Sequence, residues 1–153
     1  MCFSLYTGTT DPIPRKAWNR ETPDICVFDL RDHEEPLREH FSKPSIQKIG
    51  STSCCGCDFP SAMFQNGGWP EIEYREIDEN QQKSEQYNKQ ALVSLLASVT
   101  DDWVELYGVW AGDYATAPAN REEVSLARLL DPQFRFKERG FYRVNLRHPA
   151  AST

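Results

Sequence analysis

The sequence predicts an α+β fold: one domain over residues 1–153, with a mainly antiparallel sheet, one long helix at about 79–99 packed on a face, and a C-terminal hairpin. Three observations carry this. Short runs of β-branched and aromatic residues outnumber helical stretches and do not alternate with them as a doubly wound parallel sheet requires. Only the segment 79–99 shows the 3.6-residue apolar period over a length that can cover a sheet. A chain of 153 residues, 39% of them hydrophobic and including eight Phe, six Tyr and four Trp, is long enough for one core.

The elements follow in order. Residues 2–7 (CFSLYT) read as a short strand ended by Gly8. Pro12, Pro14 and Pro23 make 9–24 a loop, with Trp18 as its anchor. The compact apolar run Ile25-Cys26-Val27-Phe28-Asp29-Leu30 reads as an inner strand. A polar turn or short helix around 34–41 precedes a strand from Ser45 to Ile49. Residues 50–73, with four glycines and two prolines, show neither period and form a long loop, a feature that in compact domains is often functional. Phe59, Phe64 and Trp69 are its possible anchors, together with the thiols.

In the 79–99 helix, Tyr87, Ala91, Leu92, Leu95, Leu96 and Val99 form the apolar stripe, opposite Lys83, Asn88 and Lys89. Asp78, with Gln81 three residues on, is its N-cap, and Glu71, Glu73, Glu76 and Asp78 complement its dipole. Trp103 to Trp110 alternates as a strand, with Val104, Leu106 and Trp110 on one face and Glu105 and Tyr107 on the other. Gly108 in its middle marks a bulge or a close neighbour. After a loop at 111–120, Arg121 to Val124 reads as a strand, with an unbroken helix from Asn120 as the alternative. Ser125 caps a short turn, Leu126 to Leu130, stopped by Pro132. Phe134 to Lys137 and Phe141 to Leu146 read as a hairpin around Glu138-Arg139-Gly140, with Phe134, Phe136, Tyr142, Val144 and Leu146 inward and Arg135, Lys137 and Arg143 in water. The tail 147–153 is expected to fray.

Composition excludes several classes. A balance of 17 basic against 23 acidic residues, net −6, argues against nucleic acid or an anionic membrane as main partner. No apolar run approaches the roughly 20 residues of a membrane span. The start Met1-Cys2-Phe3-Ser4-Leu5 lacks the pattern of a signal peptide, so a cytoplasmic location with reduced thiols is expected. No Ser-His-Asp order, Gly-rich phosphate loop or HExxH motif occurs. His33 and His40 lie in an acidic stretch, Asp29 to Glu39, and read as solvated. The segment Arg139 to Leu146 opens like the first RNA-binding motif of an RNA-recognition domain, but Tyr142 and Arg143 break the pattern, and a plain hairpin accounts for it.

The candidate chemistry lies in the cysteines. Five are present, three of them within Cys54-Cys55-Gly56-Cys57. Cys54 and Cys57 have the spacing of a zinc knuckle, with Gly56 where the backbone must curl. A second ligand pair at diagnostic spacing is missing, and the remaining donors are Cys2, Cys26, His33, His40, His148 and carboxylates. The same spacing suits a redox pair, as does Cys55-x-Cys57. Against it, the segment after Cys57 does not continue as a helix, and Asp58 would raise the thiol pKa. The plain alternative is a set of buried, inert cysteines shaping a turn. Cys2 could serve as an N-terminal nucleophile with its own amine as base, but reads better as a side chain of the first strand.

Met1-Cys2 leading through Leu5-Tyr6-Thr7-Gly8-Thr9 to Pro14 and Trp18, and Gly50-Ser51 leading to Cys55-Gly56-Cys57-Asp58-Phe59, resemble a family of small uncharacterised bacterial proteins. The resemblance covers about the first 70 residues and has a looser echo in the C-terminal hairpin. It carries no established activity. What it implies is that Cys2, Cys55 and Cys57 belong to one constellation; Thr52 stands where that family tends to have His. The expectation is therefore a thiol-based metal or redox site in the 50–70 loop, built from Cys55 and Cys57 with Cys54 or Cys2, with zinc as the candidate ion. The competing class is a non-enzymatic interaction protein with structural cysteines, contacting a protein partner through exposed Trp69 and Trp110.

Overall fold

The computed structural model describes residues 2–62 and 78–147. In chain order these form β1 (Phe3–Thr9), β2 (Cys26–Asp29), a 3-10 helix (Asp32–His40), β3 (Ser45–Gly50), β4 (Ser61–Ala62), α1 (Glu79–Ala97), β5 (Trp103–Trp110), β6 (Asn120–Ser125), a 3-10 turn (Ala127–Leu130), β7 (Phe136–Lys137) and β8 (Gly140–Asn145). The expected α+β class is what forms. A six-stranded sheet runs β2-β3-β1-β5-β8-β6, antiparallel throughout except where β6 lies parallel to β8.

β1 sits inside this sheet with both faces covered, and all seven of its residues are buried. Period-2 alternation sends Phe3 and Leu5 to one side, where Ile49, Val104, Leu106 and Val144 meet Leu92 and Leu96 of α1. Tyr6 goes to the other side, where Tyr107, Val109 and Phe141 meet Leu37 of the 3-10 helix. Gly108 is the expected close-neighbour position and not a bulge. The β1–β5 register runs unbroken past it, and the Phe3 ring lies so close that a Cβ there would fall 2.3 Å from Phe3 Cζ.

Several expectations need correction. β2, read as an inner strand, is at the rim of the sheet. Cys26 and Val27 are buried there because the preceding loop folds over them: Lys16 and Val27 exchange backbone hydrogen bonds at 3.1 and 2.9 Å. The Gln47 side chain clamps that loop by accepting from Ile13 N–H (2.9 Å) and donating to Ile13 C=O (2.8 Å). The Asn120 helix alternative fails, since Asn120–Ser125 is a strand. The expected C-terminal hairpin does form as a chain reversal at Glu138–Arg139; its short arm β7 makes its ladder bonds with β4, in parallel, while β8 joins the main sheet. The two arms meet where Lys137 N–H donates to the Tyr142 hydroxyl at 2.7 Å. Trp110, expected exposed, is half-buried with its ring edge-on to Phe3. Glu34, in the acidic stretch around His33 and His40, is buried and accepts from the Tyr6 hydroxyl. Residues 63–77, with Phe64, Trp69 and the acidic run, and 148–153, with His148 and most of the expected frayed tail, lie outside the described residues.

The buried stripe of α1 is rotated from the expected one. Leu92 and Leu96 are buried as read, but the N-terminal half turns Glu85, Asn88 and Lys89 inward and leaves Tyr87 51% exposed. These positions continue the 3.6-residue period back from Leu92; an apolar count misses them because their side chains are polar. Lys89 Nζ donates to Asp131 C=O at 2.5 Å, and Arg135, expected in water, lies 3.7 Å from Glu85 with its side chain 9% exposed. The N-cap is as expected: the Asp78 carboxylate accepts from Gln81 N–H at 2.8 Å.

Burial pulls the Lys89 ammonium down to about 8, against the opposing pull of Asp131 and Glu85. In the unfolded chain it holds its proton to roughly 10.4. Between these values the unfolded state binds more protons, so this residue's contribution to stability rises with pH. The stability of wild type minus that of Lys89→Met is expected to increase from pH 8 to pH 10 in urea titrations. A flat difference would mean that the folded chain keeps Lys89 charged throughout.

Candidate metal centre

The cysteine loop is shaped by backbone bonds at its neck. β3 ends at Gly50, after which Ser51 N–H donates to Cys55 C=O at 2.6 Å and Cys54 N–H to Ser51 C=O at 2.9 Å. This tight closure puts Cys54 in the left-handed region at φ +70°. The far side is anchored by Phe59, a fully buried ring edge-on to Phe136, and by Phe59 N–H donating to Gly56 C=O at 3.0 Å. Two contacts tie the neck to the rest of the molecule. Trp18 Nε1–H donates to Thr52 C=O at 2.8 Å, so Trp18 is the anchor expected of its loop. Asn88 of α1 accepts from Thr52 N–H (2.9 Å) and donates to Thr52 Oγ1 (3.1 Å) and Ser84 C=O (2.9 Å).

Gly56 presses on the backbone of β1. A Cβ there would lie 2.4 Å from Phe3 C=O and 3.1 Å from Ser4 Cα, neither of which can swing aside as a side chain could. Only glycine lets the turn descend onto the start of β1, where Cys2 precedes Phe3. As a result Cys2, Cys55 and Cys57, remote in sequence, bring their sulfurs within 4.8 Å of one another. Cys2 and Cys57 are exposed and Cys55 is half-buried, so these three are not the buried cysteines of the plain alternative.

The three thiols are electrostatically unequal. For Cys55, burial works to raise the pKa, but the Cys57 N–H and the hydrogen bonds shared with Ser53 and with the Cys57 and Cys2 thiols outweigh it and hold the thiol below its ordinary value. Cys57 N–H lies 3.4 Å and Ser53 Oγ 3.6 Å from that sulfur. Cys57 goes the other way: burial and the neighbouring Cys55 push it up to about 11. Asp58, expected to raise the thiols, is turned to the serines, with Ser51 Oγ at 3.2 Å and Ser53 Oγ closer still.

The fold uses the C-x-C pair rather than the C-x-x-C spacing. Cys54 stays out of the trio and its thiol neighbours Cys26, the one buried cysteine. Among the described histidines, neither His33 nor His40 joins the thiol cluster: His40 meets Tyr114 C=O at 3.0 Å and lies edge-on to Tyr107, and the His33 ring packs on Tyr114. Reading by spacing missed Asn88, Ser53 and the contact of Gly56 with β1. The only sequence signal for Asn88 was its place in the helical period. Cys2, Cys55 and Cys57 thus make a cluster capable of ligating a metal ion. No protein-family model, curated protein or solved structure matches this chain.

Gly56→Ala is expected to destabilise the fold by about 1–3 kcal/mol, the usual range for overpacking. It should also separate Cys2 from the other two thiols. Capture of a trivalent arsenical, which needs adjacent thiols, checks this: stoichiometric in wild type, much weaker in the variant. Asn88→Ala leaves Thr52 N–H without its partner and is expected to lower stability by about 1–3 kcal/mol, with faster hydrogen exchange at Thr52.

Proposed function

We propose that the protein binds one soft or borderline divalent ion, zinc foremost, through the thiolates of Cys2, Cys55 and Cys57. The observation that carries this reading is the convergence of three sulfurs from two distant segments, each at least partly open to solvent. Tetrahedral zinc with bonds of about 2.3 Å needs sulfurs roughly 3.8 Å apart, so contraction by about 1 Å or less from the limiting separation of 4.8 Å closes the set. Thiolates favour zinc, copper(I) and iron–sulfur chemistry over magnesium or calcium.

Three protein ligands leave one position of a tetrahedral ion for water or an incoming group, the pattern of sites that do more than hold a fold. The preorganised donors to Cys55 support metal capture at neutral pH, because a ligand sulfur must first lose its proton. Cys57 N–H and Ser53 would remain as outer partners that orient that sulfur. A reducing compartment, as expected from the sequence, keeps the thiols available.

Cobalt(II) and zinc titrations of purified wild type test the reading. One equivalent is expected to bind, with cobalt giving the intense near-ultraviolet thiolate bands of sulfur coordination. Cys55→Ser and Cys57→Ser should each weaken zinc by more than the roughly 10–100-fold that outer-shell changes cost. Binding releases protons, so affinity should rise with pH between 6 and 8. Zinc binding no tighter in wild type than in a Cys2/Cys55/Cys57→Ser triple variant would sink the proposal, and rapidly reacting thiols in that metal-free protein would point to redox use instead.

A further inference from the structure

We propose that Cys26 and Cys54 form a second thiol site, a dithiol that low-molecular-weight disulfides of the glutathione class convert into a Cys26–Cys54 disulfide. This site is separate from the Cys2/Cys55/Cys57 cluster and does not depend on metal binding there.

The sheet register creates it. Cys26 of β2 pairs directly with Gly50 of β3. The missing side chain of Gly50 leaves a gap that the Cys26 thiol enters: a Cβ at 50 would lie 2.4 Å from Cys26 Sγ. That same point is 3.5 Å from the carbonyl carbon of Cys54, so the Cys26 sulfur and the Cys54 backbone border one vacancy. The turn closed by Ser51 holds Cys54 there, at φ +70°, and burial together with the neighbouring Cys54 thiol pushes the Cys26 pKa up. A glycine facing Cys26 and a left-handed cysteine after a tight turn are each minor features. Together they bring the Cys26 sulfur up to the main chain of Cys54 at the rim of the sheet.

Accessibility divides the labour. Cys54 is exposed, whereas Cys26 has no solvent-accessible surface. A dissolved disulfide RSSR therefore meets Cys54 first. The Cys54 thiolate attacks one sulfur of RSSR, forming a Cys54–S–S–R mixed disulfide and releasing RS⁻, which takes up a proton. Cys26 then loses its proton and attacks Cys54 Sγ, which forms the intramolecular bond and expels the second R group as a thiol. Two protein thiols are oxidised and one RSSR is reduced to two RSH. Burial protects Cys26 from forming a mixed disulfide of its own, leaving it the role of resolving thiol.

Trypsin makes the test direct, because Cys26 falls on the peptide 21–31, Cys2 on 1–15, and Cys54, Cys55 and Cys57 together on 49–75. Wild type, with and without one equivalent of zinc, is incubated with oxidised glutathione, quenched in acid and mapped by mass spectrometry. The expected product joins 21–31 to 49–75 with the loss of two hydrogens in both conditions. The exposed-site variant Cys54→Ala should fold and lose that link, and Cys26→Ala should stop at a glutathione adduct on 49–75. A link that persists in Cys54→Ala would overturn the proposal. So would wild type that stops at the adduct with Cys26 still alkylatable after unfolding. A link between 1–15 and 49–75 in place of the expected one would also overturn it, and would report on the other thiol cluster, which zinc titration tests separately.

Discussion

The site depends on one steric fact, the absence of a side chain at Gly56. Any larger residue would meet the carbonyl of Phe3 and the α-carbon of Ser4 well inside contact distance. Backbone can lie on backbone only where nothing intervenes, and here that closeness brings a loop sulfur next to a strand sulfur. The strand cannot yield, because β1 is buried on both faces and hydrogen-bonded along both edges, to β3 and β5. The loop is held as firmly from behind, by Asn88 at Thr52 and by the buried ring of Phe59. A rigid strand, a pinned loop and a glycine at the crossing are together enough to hold three thiols side by side without a metal having to draw them in.

Polar residues do much of this holding, which marks the boundary of what the sequence disclosed. Strands such as Trp103 to Trp110 were legible because period 2 sorts their side chains onto the two faces of the sheet. The class of the fold followed from them, as did the helix, whose C-terminal half carries Leu92 and Leu96. Its N-terminal half was misread by about one position, since Asn88 and Lys89 occupy core-facing places with polar side chains. A pattern of hydrophobicity cannot show a buried amide whose value lies in two hydrogen bonds to a loop 36 residues away. The rim position of β2 was hidden for the opposite reason: its residues are apolar enough for an interior strand, and the cover comes from a proline-bearing loop.

The cysteines were visible at once, yet their grouping was not. Spacing favoured Cys54 with Cys57, the familiar two-residue interval. The fold instead sorts the sulfurs by the direction of each turn: Cys55 and Cys57 toward β1, Cys54 toward β2. That sorting follows from Cys54 taking a left-handed φ, a property of the Ser51 turn that no count of intervening residues contains. The convergence of Cys2 was suggested by a likeness in motif, and its cause is the β1–Gly56 contact.

The two rims of the main sheet are blunted in different ways. β6 at one end carries Arg121, Glu122 and Glu123 in succession, and β2 at the other is only four residues long and already capped at Val27 by Lys16. Charge on one border and a short, occupied ladder on the other are the devices by which β-proteins discourage foreign strands from adding on. A molecule that displays exposed thiols on a loop would otherwise run a double hazard, fibrous growth through its borders and covalent cross-linking through its thiols. Here the first is countered by architecture alone.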